Sequence, residues 1–564
     1  MPLPDYYNRV NPDLLRVIPA DAKAVLEVGC GTGAMASHFL AVNPSCRYVG
    51  IEMNSEAAEV AATRLHRVIV GNVETLDPLD FEPESFDALV FGDVLEHMVD
   101  PWRVLNRLSA LLKPGGQAVA CIPNVQHWTM IIELLRGRWE YQDEGLMDRT
   151  HLRFFAAEGL RPLFANAGLQ VFDVKPRWWP NPEMDAFHQM MIPVIQKLGL
   201  DPIQFAMRTS ALQYIVRSVK AVEPPRKLAI QTLIGEPMVC ARVRVMEPDR
   251  FLGTLPGVRT IASTDAKQLG QVLPDEARVF IRQRNILLED IHLEGQATLL
   301  QLGYLVVAEF DDDPRHFPEV EDNRFATFSA CHAVQTSTEA LADVIRPHNP
   351  HVKVFANQIA VLPPPRVYHE DGPTTLFFGA LNRENDWAKI LPALNRVLRE
   401  RGSSVTLNIV YDKALFDALE TVHKTFQPFC PYERYTEILS ASDIALLPLN
   451  PSPFNACKSD LKFIESAAFG AVALASPTVY GNTIDDGRNG DLFETPGDFE
   501  SKLNRLIDDR HRRQNLARNA YRYVAKNRML AQHFRERFDW YHDLLGRKAQ
   551  LDRDLRHRVP ELFD

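Results

Sequence analysis

The chain has 564 residues, 46% of them hydrophobic and 24% charged, with a formal net charge of −11. That length predicts three or four domains, each able to bury a core, and the acidic balance excludes a general nucleic-acid binder, whose surface would be basic. Seven scattered cysteines with no CxxC pair predict no disulfide framework and no zinc site, and fit a reducing cytoplasm.

Met1 to Asn11 lacks the basic and apolar regions of a signal peptide. No apolar run approaches the ~20 residues of a membrane span. From Lys23 to about Val174, the apolar runs Ala24–Val28, Tyr48–Ile51, Ala88–Phe91 and Gln117–Cys121 alternate with amphipathic stretches. Such alternation predicts a parallel sheet with helices on both faces. The first strand enters the glycine-rich turn Val25-Leu-Glu-Val-Gly-Cys-Gly-Thr-Gly33 and then a helix. Glycines admit a ligand close to the backbone, and a helix N-terminus suits a polar or anionic group. Glu52 ends the next strand, where a carboxylate can accept both hydroxyls of a ribose.

Taken alone, Gly29-x-Gly31-x-x-Ala34 also satisfies the dinucleotide fingerprint. Glu27, the strand Phe86-Asp-Ala-Leu-Val-Phe-Gly-Asp-Val-Leu-Glu-His97 and the lead-in Leu111-Leu-Lys-Pro-Gly-Gly116 separate the two readings. Together these motifs resemble the class I S-adenosylmethionine (SAM) dependent methyltransferases over about residues 20–175. The resemblance implies that Gly29, Gly31 and Gly33 with Glu27 hold the methionine part of SAM. It places Glu52 at the ribose, Asn72 and Val73 beside the adenine, and Asp93 at the reactive end. The segment from Gly137 to Phe155 looks like one in methyltransferases encoded with glycan-assembly enzymes. His97, His127 and His151 are candidate general bases, because an imidazole near its ordinary pKa can take a hydroxyl proton. Each also admits a purely structural role.

Arg177-Trp-Trp-Pro-Asn-Pro182 interrupts the alternation, and the residues up to about Val222 read as two helices. Residues 187–227 carry six basic side chains against two acids, interleaved with apolar ones. Two readings stay open: packing between the two catalytic halves, or lying on an anionic membrane surface.

A second alternating region runs from Leu228–Thr232 through Val352–Ala356, and a third from Thr375–Gly379 through Val472–Ser476. Pro363–Pro365 and His369–Pro373 mark the boundary between them. The third holds Phe454-Asn-Ala-Cys-Lys-Ser-Asp-Leu-Lys-Phe-Ile-Glu-Ser-Ala-Ala-Phe-Gly470, with Ser459 as the expected N-cap. Lys458 and Lys462 fall around the first turn, where the dipole favours a diphosphate, and Glu465 lies one turn on. With Ser442–Leu449 and Asp485–Gly490 this is similar to the donor site of retaining GT-B glycosyltransferases, over about residues 226–545. The resemblance implies that Lys462 and Arg383 contact the diphosphate and Glu465 the ribose of a nucleoside diphosphate sugar. It departs at Cys457, where the family often has a second glutamate that touches the donor sugar. Glu309-Phe-Asp-Asp-Asp313 reads as an acidic loop on the acceptor cleft rather than a metal site. Arg242 and Arg244 are candidate phosphate contacts.

The expected fold is α/β: a Rossmann-like methyltransferase domain (1–180), a helical connector (181–225), and a GT-B acceptor lobe (226–365) and donor lobe (366–564) with closing helices. The expected activity is bifunctional, in bacterial surface-glycan assembly: SAM-dependent methylation of a sugar, and glycosyl transfer. The alternative is a glycan methyltransferase whose GT-B half only binds substrate. The expected acceptor is a glycan or lipid-linked saccharide, in the cytoplasm or at the inner face of its membrane, with no nucleic acid and no metal.

Overall fold

The computed structural model describes residues 4–76, 80–221, 223–238, 240–288, 290–368 and 371–563. Val222, and His369 and Glu370 of the expected boundary, lie outside the described residues. The chain divides into two compact units: Met1–Leu228 with Arg250–Arg259, and Ala229–Asp249 with Thr260–Asp564.

The first unit is built on seven strands: β1 (Ala24–Val28), β2 (Arg47–Glu52), β3 (Arg67–Val70), β4 (Phe86–Gly92), β5 (Leu112–Pro123), β6 (Gln170–Arg177) and β7 (Gln213–Val219). Their order is β3-β2-β1-β4-β5-β7-β6. The first five pair in parallel, and β7 runs antiparallel to both β5 and β6. Every residue of β1 is buried, as a strand covered on both faces requires. Helix Pro101–Ser109 shows why the flanking elements form. Asp100 accepts from the Arg103 N–H at 3.0 Å as N-cap, Pro101 opens the helix, and Val104, Leu105 and Leu108 supply its buried face.

The connector departs from the all-helical expectation. Helices Pro182–Lys197 and Pro202–Ser210 form, but residues 213–219 are β7, seated between β5 and β6. Tyr214, Ile215, Val216 and Val219 are buried there, and β-branched and aromatic residues favour a strand once both neighbours are present. Arg217, counted among the connector's basic side chains, is 2% exposed. Its guanidinium lies 3.5 Å from Asp173 and donates to the Thr254 carbonyl at 2.8 Å. Thr254 belongs to the stretch Arg250–Arg259, which groups with this unit rather than with the lobe expected to start at 226. The two helices and the turn between them leave Met190, Val194, Leu198, Leu200, Ile203 and Met207 exposed.

The second unit carries two sheets. One comprises β8 (Leu228–Ile234), β9 (Val258–Ser263), β10 (Ala277–Gln283), β11 (Leu305–Glu309), β12 (Ala333–Thr336) and β13 (Val352–Val354), in the order β13-β12-β11-β10-β8-β9. The other comprises β14 (Thr374–Gly379), β15 (Val405–Val410), β16 (Lys424–Gln427), β17 (Ile444–Leu447), β18 (Val472–Ala475) and β19 (Asp491–Leu492), in the order β16-β15-β14-β17-β18-β19, all parallel. The last two long helices, Arg535–Gly546 and Lys548–Arg558, return to the β8–β13 sheet instead of staying with the donor lobe. There the Tyr541 hydroxyl donates to Gln335 at 2.7 Å, and Asp552 lies 2.9 Å from the His332 ring.

The placement of β7 makes the connector's stability pattern a test. Ile215→Ala should cost about 2–5 kcal/mol, as for a truncated core residue, whereas Ile203→Ala should change stability by no more than about 0.5 kcal/mol. Chemical denaturation of the full chain measures both; equal costs would contradict the assignment.

Candidate functional site

In the first unit the chemistry gathers past the carboxyl ends of β1, β2, β4 and β5. Gly29, Gly31 and Gly33 all take left-handed backbone angles, with φ of 73°, 54° and 76°, which a side chain would strain. Glu52, 7% exposed, holds this turn: its two carboxylate oxygens accept from the Gly31 and Asn54 N–H groups, each at 2.8 Å. A carboxylate has further lone pairs, so Glu52 can clamp the turn and still accept from a ribose. Glu27 is 3% exposed and accepts from the Tyr48 hydroxyl at 3.1 Å; burial pushes its carboxyl up to about 8. Asn72 accepts from the Glu74 N–H at 2.8 Å, and Val73 beside it is buried.

Asp93 follows β4 in a left-handed conformation (φ 50°) and accepts from the Gln213 side chain. Burial raises its carboxyl above the usual range. Gln213 in turn accepts from Arg177, which pairs with Asp13 at 2.8 Å. Three residues on, Glu96 is 1% exposed, and neither of its carboxylate oxygens has a hydrogen-bond partner among the described residues. Burial, and then the Asp93 charge, pushes Glu96 well above the usual carboxylate range.

His97 and His151 meet edge to face beside Glu96, with ring centroids 4.8 Å apart. One ligand atom from each of Glu96, His97 and His151 lies within 4.8 Å of the others. The Nδ1 of His97 faces the Thr150 carbonyl at 3.2 Å and that of His151 faces the Leu146 carbonyl at 3.1 Å. A carbonyl only accepts, so each Nδ1 carries the proton and each Nε2 offers a lone pair. Two imidazoles and one carboxylate form a donor set able to hold a divalent cation, where the sequence predicted no metal. The segment from Asp148 is fastened here by Leu152 and Arg153, whose N–H groups donate to the Glu96 carbonyl at 2.8 and 3.0 Å.

His127 does not join this cluster. Its Nδ1 lies 2.8 Å from the Thr129 hydroxyl, and burial lowers its pKa to about 4. It lines a cavity of about 240 Å³ with Trp128, Trp178 and Trp179.

In the second unit the donor-side residues lie around helix Leu461–Ala468. Asp460, not Ser459, occupies the N-cap position, held by Arg528 at 2.5 and 2.8 Å, while the Ser459 hydroxyl accepts from Asn357. Lys462 donates to the Tyr435 hydroxyl at 2.9 Å and sits 3.5 Å from Glu465. The Tyr435 hydroxyl donates onward to Glu465 at 3.4 Å. Lys458 is not aimed at the helix turn: its ammonium pairs with Asp312 at 2.6 Å. Arg383 donates to Asp386 and Asn455 at 3.2 and 3.1 Å.

The acidic run is likewise engaged by cations. Asp311 pairs with Arg284, Asp313 with Arg315, and buried Glu309 with buried Arg244 at 2.8 Å. Arg244 is therefore a core ion pair rather than a surface phosphate contact. Arg242 lies over the Tyr432 ring at 3.7 Å. Cys457 is 3% exposed, with Arg315 within 3.9 Å of its sulfur.

Tyr435 escaped the sequence reading, although it touches both Lys462 and Glu465. With Tyr432 it shares a face of helix Tyr432–Ser440, and Phe429, Tyr411, Tyr435 and Tyr432 stack in succession at centroid distances of 5.3–6.0 Å. The three-residue spacing of the two tyrosines was the available signal.

A methyltransferase-domain family model matches residues 5–174, and a glycosyl transferase-like model matches residues 390–539. The ubiquinone biosynthesis O-methyltransferase of Xanthomonas axonopodis pv. citri is 31% identical over 167 residues, covering 28% of this chain and 67% of that protein. Its counterpart in Neisseria meningitidis serogroup C is 30% identical over 179 residues, covering 29% and 73%. Among solved structures, Anabaena HepE in complex with UDP and glucose covers 57% of this chain and all of its own at 14% identity, with a TM-score of 0.42. A SAM dependent methyltransferase from Archaeoglobus fulgidus covers 38% and 97% at 15% identity, with a TM-score of 0.28.

Because Glu27 titrates near 8 when folded, against an ordinary 4.5, folding takes up a proton between those values. Its contribution to stability is therefore lost as pH rises through that window. Denaturation of the SAM-free chain at pH 5.5 and 8.5 should show a smaller loss on alkalinisation for Glu27→Gln than for wild type. Parallel profiles would refute the protonated assignment.

Proposed function

Since the chain belongs to the SAM-dependent methyltransferases through residues 5–174 and carries a glycosyl transferase-like domain over residues 390–539, we propose that it methylates a sugar hydroxyl and transfers a sugar from a nucleoside diphosphate donor in bacterial surface-glycan assembly. The observation that carries this reading is the presence, on one polypeptide, of a clamped glycine turn and of a Lys462–Tyr435–Glu465 cluster. The first suits the methyl donor, the second a ribose and diphosphate.

Methyl transfer is an in-line displacement from a sulfonium, so positioning and removal of the acceptor proton are what the protein must supply. The Nε2 atoms of His97 and His151 are the candidate proton acceptors. Alternatively, the same Nε2 lone pairs, with Glu96, would hold a divalent cation, which in place of a histidine base would act as a Lewis acid on the acceptor oxygen. Filling this site would satisfy the two orphaned oxygens of Glu96.

The alternative, a glycosyltransferase half that binds without catalysing, draws support from Cys457 and from the pairing of Lys458 with Asp312. A lipid-linked acceptor would suit the exposed apolar side chains of helices Pro182–Lys197 and Pro202–Ser210, as a peripheral contact. No helix among the described residues is long and apolar enough to cross a membrane.

Mass spectrometry of glycans from cells carrying each variant tests the reading. Glu52→Ala should remove a methyl, and Lys462→Ala a sugar unit. Retention of the sugar in Lys462→Ala would favour the binding-module alternative, and unchanged glycans in both would end the proposal. With purified chain and SAM, EDTA should abolish methylation of the glycan, with Mg²⁺, Mn²⁺ or Zn²⁺ restoring it in wild type but not in Glu96→Gln. Methylation indifferent to chelation would leave the histidines as the only base. Sedimentation with phosphatidylglycerol vesicles should carry wild type down and release Ile203→Asp; wild type left in the supernatant would exclude the contact.

A further inference from the structure

The recess around Trp178 and Trp179 is unused by the site described above. The cavity of about 240 Å³ is walled by Trp128, Trp178 and Trp179, with His127, Asn181 and Ser210 among its polar lining groups. Trp178 and Trp179 are 50% and 56% exposed. Two large indoles left half in water beside the buried Trp128, around one hollow, have little folding rationale, since each forgoes much of the area it could bury. They follow β6 directly, and Asn181 caps the next helix by accepting from the Glu183 N–H at 2.8 Å. That bond uses the amide oxygen and leaves the amide N–H₂ as donor. The Ser210 hydroxyl donates to the Ala206 carbonyl at 2.7 Å, which leaves its oxygen as acceptor. The Nδ1 of His127 is engaged by Thr129, leaving Nε2.

Among the described residues no acid, lysine or arginine lines the recess, and Arg177, which lies over the Trp179 ring, is paired with Asp13, so the recess has no free complement for a phosphate or a carboxylate. Its size, below the roughly 300–1,000 Å³ typical of drug-sized ligands, suits a single ring. It also adjoins the reactive end. Leu212, in its lining, donates its N–H to the Arg177 carbonyl at 2.9 Å. Arg177 covers the Trp179 ring at 5.4 Å and bonds to Gln213, which bonds to Asp93.

We propose that this recess is the acceptor subsite of the methyltransferase unit and takes one neutral pyranose ring. The C–H faces of the ring would rest on Trp178 and Trp179, with its hydroxyls at Asn181, Ser210 and His127. The proposal rests on the sugar-methylation reading, and it names the residues that would recognise the sugar. A flat phenol would also stack on indoles, but it would leave most of the polar rim unanswered.

Saturation-transfer NMR on the full chain with S-adenosylhomocysteine tests it, using methyl glucoside, galactoside, mannoside and rhamnoside as probes and catechol as the phenolic comparator. At least one pyranoside should receive saturation on its ring C–H protons. The signal should weaken by about tenfold or more when both rings are removed in Trp178→Ala/Trp179→Ala. S-adenosylhomocysteine affinity should stay unchanged in that variant, which shows that the unit is folded. In turnover with whole glycan, the same variant should raise KM and leave kcat near wild type. Catechol binding without any pyranoside, or a pyranoside signal that survives the double variant, would overturn the proposal. Glycan methylation that persists with unchanged KM would overturn the subsite yet leave the sugar reading standing, whereas absence of methylation on any saccharide would overturn both.

Discussion

A parallel strand covered on both faces has no room for a polar side chain except at its ends, and this constraint organises the whole chain. In the first unit, Glu52 closes β2, and Asp93, Glu96 and His97 follow β4. In the second, Glu309 closes β11 and the three aspartates follow it, Arg383 follows β14, and Lys458 lies beyond β17. Nonpolar interiors fix the sheets, and the sheets then deliver acids, bases and glycine turns to one rim each. Two sets of polar side chains are thereby placed by one architectural rule used repeatedly.

The two rims are prepared differently. Glu52 is a satisfied acid, each oxygen accepting from a backbone N–H group, so it braces the glycine turn rigidly. Glu96 is an unsatisfied one, buried without partners, and such a group persists only where something else compensates its cost. Around helix Leu461–Ala468 the cations are already occupied: Lys458 by Asp312, Arg383 by Asp386, Lys462 by Tyr435 and Glu465. A diphosphate bound there would have to displace those partners.

Local signals carried most of the fold. The glycine turn, the acidic end of β2 and the lysine-bearing helix all depend on residues within a few positions of one another, so spacing alone reveals them. What escaped depended on distant partners. Residues 213–219 look amphipathic in isolation and become a strand because β5 and β6 offer two edges at once. Ser459 has the right chemistry for a cap, but Asn357 takes its hydroxyl while Arg528 fixes Asp460. Three histidines were equivalent on paper, and only the fold separates His97 and His151 from His127. Tyr435 lay outside the motif it completes.

Calorimetry of the full chain titrated with S-adenosylhomocysteine and, separately, with uridine, guanosine, adenosine and thymidine diphosphates bears most directly on the idea of two nucleoside sites in one polypeptide. One site for S-adenosylhomocysteine and one for at least one of the diphosphates, each unaffected by saturation of the other, is the expected outcome. Mutual displacement, or heat from neither class of ligand, would contradict it.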